Sequence, residues 1–519
     1  MNKKRSDCAK MRNVYWFLLD GLSPDFIPYC TDRIVLNGID DIISQGTTFT
    51  NIACTAGGTH CSMHSIFSSM LPSVNGATGW YRKALRGFNK EIFSLTDFFK
   101  MNDYHTYRYC DAEYERAVPM SGFDVWESSG YTISECLKRT DMMKCTKRDR
   151  FIAEVNQCNE RKFVYHHVEL LHELNGIMGR VWSTQGVKDN VVVFADEISK
   201  LLKEYAISNE DIIVISSDHG VLTDIDYLED GINNGERQYE QSVKTFFSIV
   251  GADVPKQVID VRLSSLDEAP TVAELAMGVK MPGQGKSVVR EMFKETAWED
   301  EIVYREKGTY CASEEKRNPY TSDVFYVRDG DWKYVYGTND PRCEWLMDLS
   351  QDGDYEKNLV YECPEEVIKY RKMITDEMIH PICDWRRIYL DSGFEHNKHE
   401  IKPFFSVIVK NNNTREGFMD NLRDMAGPYY EIICIDDGTQ LDGEKIRGDY
   451  IVVLNNDFLC SEYLLSDIYR EIKRESHGNF RYSFLPYGYC EQRETYLQGT
   501  KMTSVDIDVR AISSFKYDL

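Results

Sequence analysis

Residues 46–79 read GTTFTNIACTAGGTHCSMHSIFSSMLPSVNGATG, and the interpretation of the whole chain starts from this stretch. In its middle, the segment Gly57–Ser62 precedes a run of small and apolar residues that predicts a helix from roughly Ser62 to Met70. A hydroxyl at a helix N-terminus benefits from the helix dipole and from free backbone amides, which also bind an oxyanion. Thr59 is therefore a candidate nucleophile, although a single Thr in front of a helix is more commonly an N-cap.

Compact apolar runs alternate with amphipathic stretches through the first part of the chain. Because the apolar runs are β-branched or aromatic and are bounded by polar turns, we interpret them as buried strands. Strands that alternate with helices predict an α/β fold with a mostly parallel sheet covered on both faces. The predicted strands are Val14–Leu19, Phe163–His167, Asp211–Ser216 and Thr245–Val250, and the predicted helices are Lys90–Met101 and Val191–Tyr205.

Polar residues directly follow two of these strands, namely Asp20 and the pair Asp218-His219. Ligands of mostly parallel sheets bind at the carboxyl ends of the strands, so these side chains lie where chemistry is expected. Carboxylate and imidazole ligands suit Mg²⁺, Mn²⁺, Ca²⁺ or Zn²⁺. A hydroxyl beside such a cation, here that of Thr59, can lose its proton and attack phosphorus or sulfur. Taken singly, an Asp at a strand end is more often a turn residue.

The remainder of the chain divides into two further segments. Val324–Val327 and Trp332–Tyr336 flank a turn of the Asp-Gly type, which predicts a hairpin in a small antiparallel subdomain. In the last part of the chain the pattern of strand-like runs restarts, which predicts a separate, short α/β module. The predicted domains are residues 1–284, 285–395 and 403–519.

Composition excludes several classes of partner. The 519-residue chain carries a formal net charge of −23, which disfavours binding to nucleic acid or to an anionic membrane. Its 15 cysteines are scattered, odd in number and without a CxxC pair, which argues against a disulfide scaffold and for reduced thiols. No stretch reaches the roughly 18–20 apolar residues that a membrane span needs. We therefore expect a cytoplasmic protein without a membrane span.

Several motifs resemble one known family. The run at residues 46–79 is similar to the sulfatase-family segment in which a nucleophile opens a Ser/Thr-rich helix, and anchoring on Pro72 and Gly76 places that nucleophile on Thr59. YWFLLDG at residues 15–21 and DIIVISSDHG at residues 211–220 resemble the two metal-binding strands of the same family. Over roughly residues 12–390 the sequence therefore resembles the sulfatase and alkaline-phosphatase superfamily, and an alkaline-phosphatase-like core is the fold that this implies.

This resemblance implies a metal site and a mechanism. Asp20, Thr59, Asp218 and His219 would together hold one divalent metal, either Mn, Mg, Ca or Zn, and a second metal stays open. The implied mechanism is in-line attack by Thr59 Oγ on a phosphate or sulfate ester held at that site. Release of the group to water or to an acceptor hydroxyl follows, so that hydrolase and transferase both remain open.

The stretch FVYHHVELLHELNG at residues 163–176 resembles the family's His-x-x-x-x-His segment. The resemblance implies that His172 is catalytic and contacts the oxyanion of the substrate, and that His167 and Glu169 bind substrate. Arg237 is the nearest candidate for the basic substrate-binding residue that follows Asp-His-Gly in the family. A structural role is an equally good interpretation of His167 and of His172.

The identity of the nucleophile bears on the substrate. True sulfatases have a Cys/Ser-x-Pro-x-Arg motif, whose first residue is oxidised to the formylglycine nucleophile. Residues 59–63 of this chain resemble the motif in position only, since they read Thr-His-Cys-Ser-Met. Cys61 lies two positions after the place of that nucleophile. Threonine is similar to the nucleophile of nucleotide pyrophosphatase-like, phosphonate-ester and lipoteichoic-acid-synthase-like relatives. Phosphate or phosphodiester chemistry is therefore favoured. The alternatives are a sulfatase and a catalytically silent binding or scaffold protein.

The segment PFFSVIVKNNNTREGFMDNLRDMAGPYYEIICIDDGTQ, residues 403–440, looks like the opening of a family-2 glycosyltransferase domain. Asp436 and Asp437 match its nucleotide-sugar-binding pair, and Asp457 resembles the second Asp of its Asp-x-Asp motif, whose first position is Asn455. Only about half of such a domain is present, so we interpret it as a remnant for packing, association or saccharide recognition. It suggests bacterial surface polysaccharide or capsule assembly, with a carbohydrate-linked phospho- or sulfo-ester as substrate; a homo-oligomer stays open.

Overall fold

The structure of the chain is a computed structural model. It describes residues 11–36, 38–56, 58–77, 88–89, 91–110, 122–129, 146–168, 184–220, 223, 240–307, 324–337, 344–351, 357–379, 385–395, 401–411, 418–423, 425, 428, 430–436, 446–455, 464–465, 468–469, 472, 479–484 and 505–511. These residues fall into two compact units, one within Met1–Pro119 and Glu127–Glu395 and the other within Met120–Trp126 and His396–Leu519. The predicted domain boundaries stay predictions.

A nine-stranded sheet runs in the order β4-β3-β5-β1-β6-β7-β2-β8, with β9 paired to β2, and its strands other than β4 form the centre of the first unit. The central strand β1 is parallel to both β5 and β6, as predicted for a mostly parallel sheet. The strands are β1 Val14–Leu19, β2 Thr47–Ala53, β3 His105–Cys110, β4 Val125–Ser128, β5 Lys162–Val168, β6 Ile212–Ser216, β7 Lys244–Val250, β8 Gln257–Ile259 and β9 Leu263–Ser264.

The direction of β2 is what places the helix that follows it. Strand β7 is antiparallel to both β6 and β2, so β2 runs in the same direction as β1 and β6. The carboxyl ends of β1, β2, β5 and β6 therefore lie at one edge of the sheet. The candidate site residues Asp20, Thr59, Asp218 and His219 lie in the segments that follow β1, β2 and β6 at this edge.

Helices connect and cover the strands. The predicted helix at Lys90–Met101 begins later, because Ser94 and Asp97 form a capping box in which each side chain bonds the other's backbone N–H. The predicted helix at Val191–Tyr205 begins earlier, and its extension includes the buried Val187. The described helices are α1 Pro28–Thr31, α2 Ile39–Ile43, α3 Thr59–Ser68, α4 Pro72–Asn75, α5 Leu95–Met101, α6 Thr146–Gln157, α7 Thr184–Glu204, α8 Glu240–Val243, α9 Glu268–Met277, α10 Val289–Met292, α11 Pro364–Ile374, α12 Trp385–Ser392 and α13 Phe418–Arg423.

Helix α3 is buried along its whole length, since each of its ten residues is at most 8% exposed. Its Phe67 ring packs against Trp16 of β1 at 5.5 Å and against Tyr165 of β5 at 5.2 Å between ring centroids. Burial of an aromatic side chain of this size contributes about 1.5–3 kcal/mol. The helix is thus fixed on the face of the sheet that carries alternate residues of β1 and β5.

A four-stranded antiparallel sheet in the order β10-β11-β12-β13 completes the first unit, as predicted from the hairpin signal. Its apolar face packs on the end of β2, because Val324, Tyr326 and Val335 share a buried cluster with Ala53 and Cys54. The strands of this sheet are β10 Val303–Lys307, β11 Val324–Asp329, β12 Trp332–Gly337 and β13 Trp345–Asp348.

The second unit contains a five-stranded sheet in the order β15-β14-β16-β18-β17. Strand β14 is parallel to both neighbours, and β18 is antiparallel to β16 and β17. The runs FFSVIVK, EIICIDD and YIVVLNND, whose composition predicts strands, correspond to β14, β15 and β16. The strands are β14 Phe405–Asn411, β15 Tyr430–Asp436, β16 Tyr450–Asn455, β17 Asn479–Phe484 and β18 Val505–Ala511.

The expectations about membrane spans and disulfides can be compared with the structure only for the described residues. Within them, no helix is both long enough and apolar enough to cross a membrane. The cysteines that the structure describes are all free thiols: Cys30, Cys54, Cys61, Cys110, Cys158, Cys363 and Cys434.

Candidate active site

Four predicted site residues converge at the carboxyl edge of the large sheet. Asp20 follows β1, Asp218 and His219 follow β6, and Thr59 is the first residue of α3. One ligand atom from each of Asp20, Asp218 and His219 lies within 4.8 Å of the other two. Residues from three separate parts of the sequence therefore form one compact cluster.

Hydrogen bonds join the loop after β1 to the loop after β6. The Gly21 backbone N–H donates to Asp218 Oδ1 at 3.1 Å, and the Leu22 N–H donates to Ser217 Oγ at 2.9 Å. Ser217 Oγ in turn donates to the His219 carbonyl at 2.9 Å. Since Asp218 is fully buried, these bonds fix its carboxylate in one orientation.

The tautomer of His219 follows from its backbone contact. Nδ1 lies 2.8 Å from the Gly220 carbonyl oxygen, and because a carbonyl only accepts, Nδ1 carries the proton. In the neutral ring, the Nε2 lone pair then faces the cluster, 3.4 Å from Asp218 Oδ2 and 3.7 Å from Asp20 Oδ1. A β-carbon at Gly220 would lie 2.0 Å from the Gln241 carbonyl oxygen, so only glycine allows this close approach.

Thr59 lies beside the same cluster. Its Oγ1 donates to Asp20 Oδ2 at 3.2 Å and lies 3.4 Å from His219 Nε2. The residue is 3% exposed and occupies the first position of α3, after the N-cap residue Gly58. Ser62 Oγ donates to the Asp218 carbonyl at 2.7 Å, so the helix and the loop after β6 hold each other in place.

The far end of α3 is held by a residue that sequence reasoning missed. Asn75 is fully buried, and its Nδ2 lies 3.3 Å from Ser65 Oγ, 3.2 Å from Ser68 Oγ and 3.0 Å from the Met70 carbonyl oxygen. The Asn75 side chain therefore hydrogen-bonds both the Ser65 and Ser68 hydroxyls of α3 and the backbone of the turn that follows the helix. The buried hydroxyls were visible in the sequence, but their shared partner was not.

His167 lies behind Asp20. Its Nε2 is 2.9 Å from Asp20 Oδ2, and its Nδ1 is 2.9 Å from the hydroxyl of Tyr165. Both rings are fully buried. His167 thus contacts a site carboxylate and a tyrosine, and its expected substrate contact stays a prediction. Tyr165 itself was not singled out from the sequence.

The arrangement fits a divalent cation. Asp218 Oδ2 is buried and has no hydrogen-bond partner among the residues that the structure describes, which is costly for a carboxylate oxygen unless a cation or a donor compensates it. The His219 Nε2 lone pair and oxygens of Asp20 and Asp218 converge on the same point. Two carboxylates, one imidazole and the neighbouring Thr59 hydroxyl form a mixed oxygen and nitrogen donor set of the kind that Zn²⁺ and Mn²⁺ accept.

Several predicted residues lie outside the described part of the chain. They are His172, Glu169, Arg237, Asp437 and Asp457, so their roles stay predictions and the second metal stays open. Asp436 is the last residue of β15 and is exposed. Its predicted partner positions are not described, and its role also stays a prediction.

Comparison with solved structures finds the same fold in several enzymes. A 2-O GAG sulfatase is 16% identical in an alignment that covers 73% of this chain and 94% of that chain, with a TM-score of 0.54. The phosphonate monoester hydrolase of Agrobacterium radiobacter is 12% identical over 70% of this chain and 94% of that chain, with a TM-score of 0.51. Ps i-CgsB in complex with k-i-k-neocarrahexaose is 16% identical over 75% and 100%, with a TM-score of 0.50.

At these identities the likeness shows the fold alone. No protein-family model and no curated protein matches the chain. The large, mostly parallel sheet with its helices and the small antiparallel sheet form an alkaline-phosphatase-like α/β fold, which confirms the predicted fold class.

Proposed function

We propose that this chain is a metal-dependent hydrolase or transferase of phosphate esters, including diesters, and that Thr59 is its nucleophile. The observation that carries the proposal is the position of Thr59 Oγ1, 3.2 Å from Asp20 Oδ2 and 3.4 Å from His219 Nε2 at the first position of α3. Thr59 is the first residue of α3 and not its N-cap, which is Gly58, and its hydroxyl donates to the Asp20 carboxylate.

The residues divide the work as follows. A divalent cation held by Asp20, Asp218, His219 and Thr59 would supply positive charge that lowers the pKa of the Thr59 hydroxyl and stabilises the oxygens of the ester. The Thr59 hydroxyl proton is directed at Asp20 Oδ2. The first turn of α3 offers backbone N–H groups and the positive end of the helix dipole to the charge that develops on the transferred group.

The covalent step forms a bond between Thr59 Oγ1 and phosphorus and breaks the bond from phosphorus to the ester oxygen. The Thr59 proton is lost to solvent by way of Asp20, and the departing alcohol takes up a proton. Water or an acceptor hydroxyl then attacks the phosphothreonine and restores the Thr59 hydroxyl. The nature of this second acceptor separates a hydrolase from a transferase.

Sulfate esters are the second candidate substrate class, because a 2-O GAG sulfatase shares the fold. Phosphate is preferred because the residue beside the metal ligands is Thr59. Cys61, the nearest thiol in the sequence, is also buried but is two residues further along α3. A formylglycine route would need a different residue at the position that Thr59 occupies.

A carbohydrate-linked substrate is the natural extension. Ps i-CgsB was solved with a neocarrahexaose and has the same fold. The second unit supports this reading through three parallel strands, β15, β14 and β16, with Asp436 at the end of β15. We propose that it is a family-2 glycosyltransferase-like module that recognises saccharide or mediates association in polysaccharide assembly. Calorimetry of nucleotide-sugar binding tests this part of the proposal. The measurement compares the full-length wild-type protein with its Asp436→Asn variant.

Turnover by purified full-length protein tests the main proposal. With Mn²⁺ or Zn²⁺ present, we expect hydrolysis of bis-p-nitrophenyl phosphate or p-nitrophenyl phosphate to exceed that of p-nitrophenyl sulfate. Thr59→Ala should lower kcat by at least about 10³-fold, in line with loss of a covalent nucleophile. Thr59→Ser should retain measurable activity, and the exposed Thr31→Ala should match wild type.

Two outcomes would reject the proposal. Equal phosphodiesterase activity in Thr59→Ala and wild type would remove the nucleophile from the mechanism. Failure of the wild-type protein to bind any divalent cation by calorimetry would favour the silent scaffold instead.

A further inference from the structure

Tyr165 and His167 are alternate residues of β5, so both side chains point to the face of the sheet that α3 covers. The parallel register pairs His167 with Leu18 of β1, two residues before Asp20. The side chains of Tyr165 and His167 are both fully buried. The register of two central strands therefore places an imidazole directly behind a candidate metal ligand.

A continuous chain of contacts joins these residues to the nucleophile. The Tyr165 hydroxyl lies 2.9 Å from His167 Nδ1, and His167 Nε2 lies 2.9 Å from Asp20 Oδ2. The same Asp20 oxygen accepts the Thr59 hydroxyl at 3.2 Å. Two donors thus converge on Oδ2, whereas Oδ1 is the oxygen that lies 3.7 Å from His219 Nε2, on the side of the metal cluster.

The direction of each hydrogen bond follows from the chemistry of the partners. An ionised carboxylate only accepts, so His167 must present an N–H at Nε2. In the neutral ring Nδ1 is then an acceptor, and the Tyr165 hydroxyl donates to it. Burial raises the pKa of Tyr165 well above its usual value, so the phenol keeps the proton that this arrangement needs.

We propose that His167 is a positioning residue, which holds Asp20 by Oδ2 so that Oδ1 is presented to the cation, and that the Tyr165 hydroxyl fixes the tautomer of His167. The proposal rests on the metal-dependent function proposed above. Partners of this kind around a metal ligand typically contribute 10–100-fold to metal affinity. In this role His167 binds no substrate.

Metal affinity is the readout, because a merely structural hydrogen bond would change stability without changing the cation site. Mn²⁺ binding to the full-length protein is followed by EPR of the free ion and by calorimetry, next to thermal unfolding of the metal-free protein. His167→Met removes the donor and should weaken Mn²⁺ binding roughly 10–100-fold. His167→Gln, whose amide nitrogen can reach the position of Nε2, should restore affinity to within a few-fold of wild type.

Tyr165→Phe provides the second variant, and it removes one hydroxyl from the buried chain. We expect a weaker effect, of about 3–10-fold in Mn²⁺ affinity, because both tautomers of His167 become accessible. If His167→Met does not fold, Tyr165→Phe decides the question.

The outcomes separate this proposal from the proposed function. A folded His167→Met protein, or a Tyr165→Phe protein, that binds Mn²⁺ as tightly as wild type overturns the positioning role and leaves the function of Thr59 untouched. Wild-type protein that binds Mn²⁺ but turns over no ester retains the positioning role and rejects the proposed activity. Absence of Mn²⁺ binding by wild type overturns both.

Discussion

The backbone N–H of Gly21 donates to Oδ1 of Asp218 at 3.1 Å and so joins two loops that are 197 residues apart in the sequence. This bond occupies one oxygen of a fully buried carboxylate and leaves Oδ2 directed at His219 Nε2, 3.4 Å away. The loop after β1 therefore determines which Asp218 oxygen is available as a ligand.

Asp218→Asn is expected to abolish cation binding with little change in shape. The amide is neutral and offers an N–H where a ligand oxygen is needed, so Mn²⁺ affinity should fall at least about 100-fold. Calorimetric titration measures this directly. Asp41→Asn, at an exposed position in α2, is the control and should bind Mn²⁺ as wild type does. Tight binding by the Asp218 variant would mean that the cation is held elsewhere.

Gly220→Ala should both destabilise the protein and disturb His219. The added β-carbon would lie 2.0 Å from the Gln241 carbonyl oxygen, so the backbone must shift, at a cost of about 1–3 kcal/mol. Gly251→Ala is the matched control, because its β-carbon would meet Val254 at an ordinary 3.4 Å. Urea unfolding gives both free energies. Equal stability of the two variants would contradict the close approach at Gly220.

Cys61 should be an ordinary buried thiol. Mass spectrometry of the peptide that contains residues 59–61 should give the unmodified mass, and Cys61→Ala should retain phosphodiesterase activity within a few-fold. The expected cost of losing one buried sulfur is about 1 kcal/mol in the free energy of unfolding. A mass 18 Da below that of cysteine, as an aldehyde would give, together with aryl-sulfate turnover, would instead establish the sulfatase alternative.

The ion pair between Glu240 and Lys333 should make a pH-dependent contribution to stability. Lys333 is fully buried, and its Nζ lies 2.8 Å from Glu240 Oε1. Burial raises the pKa of Glu240, but the charges of Lys333 and Arg328 outweigh it, and the net pKa is lowered. Glu240→Gln removes a carboxylate charge 2.8 Å from the buried ammonium and should cost about 3 kcal/mol at pH 7. The exposed pair Lys369–Asp329 is the comparison, and Lys369→Met should cost less than about 1 kcal/mol.

The sign of the pH effect follows from the lowered pKa of Glu240. A carboxyl with a lower pKa in the folded protein stabilises fully above its unfolded pKa of about 4.3, and that stabilisation is lost as pH falls through the folded pKa. The difference between wild type and Glu240→Gln in urea unfolding should therefore be constant from pH 7 to about pH 5 and shrink below about pH 4. A difference that grows on acidification would contradict the assignment.

The central strands could be predicted from the sequence, because β1, β5, β6 and β7 are compact apolar runs. Strand β3 was missed, since His105–Cys110 reads HTYRYC and carries Arg108, which is nonetheless fully buried. Strand β2 was missed as well, since its four hydroxyl or amide residues look like a loop when they are in fact buried or half-buried. In both strands tertiary burial overrides local polarity.

Three candidate ligands could be located because Asp20 follows β1 directly and Asp218 and His219 lie two and three residues beyond the end of β6. The contact between His167 and Asp20 could not be predicted from the sequence. It joins residues 147 apart and depends on the strand register that pairs His167 with Leu18. A shift of the pairing by one residue would turn the imidazole to the other face of the sheet. Such a contact is a property of strand register, which hydrophobic patterns alone leave undetermined.

Helix α3 carries Thr59, the proposed nucleophile, and every one of its ten residues is buried. Amide hydrogens in such an element exchange with deuterium only when a large part of the unit opens, so its protection should approach that of the central strands. The proposed nucleophilic hydroxyl of Thr59 would then lie on one of the more slowly exchanging segments among the described residues. Its geometry is in place before any ligand arrives, and binding energy need not be used to order it.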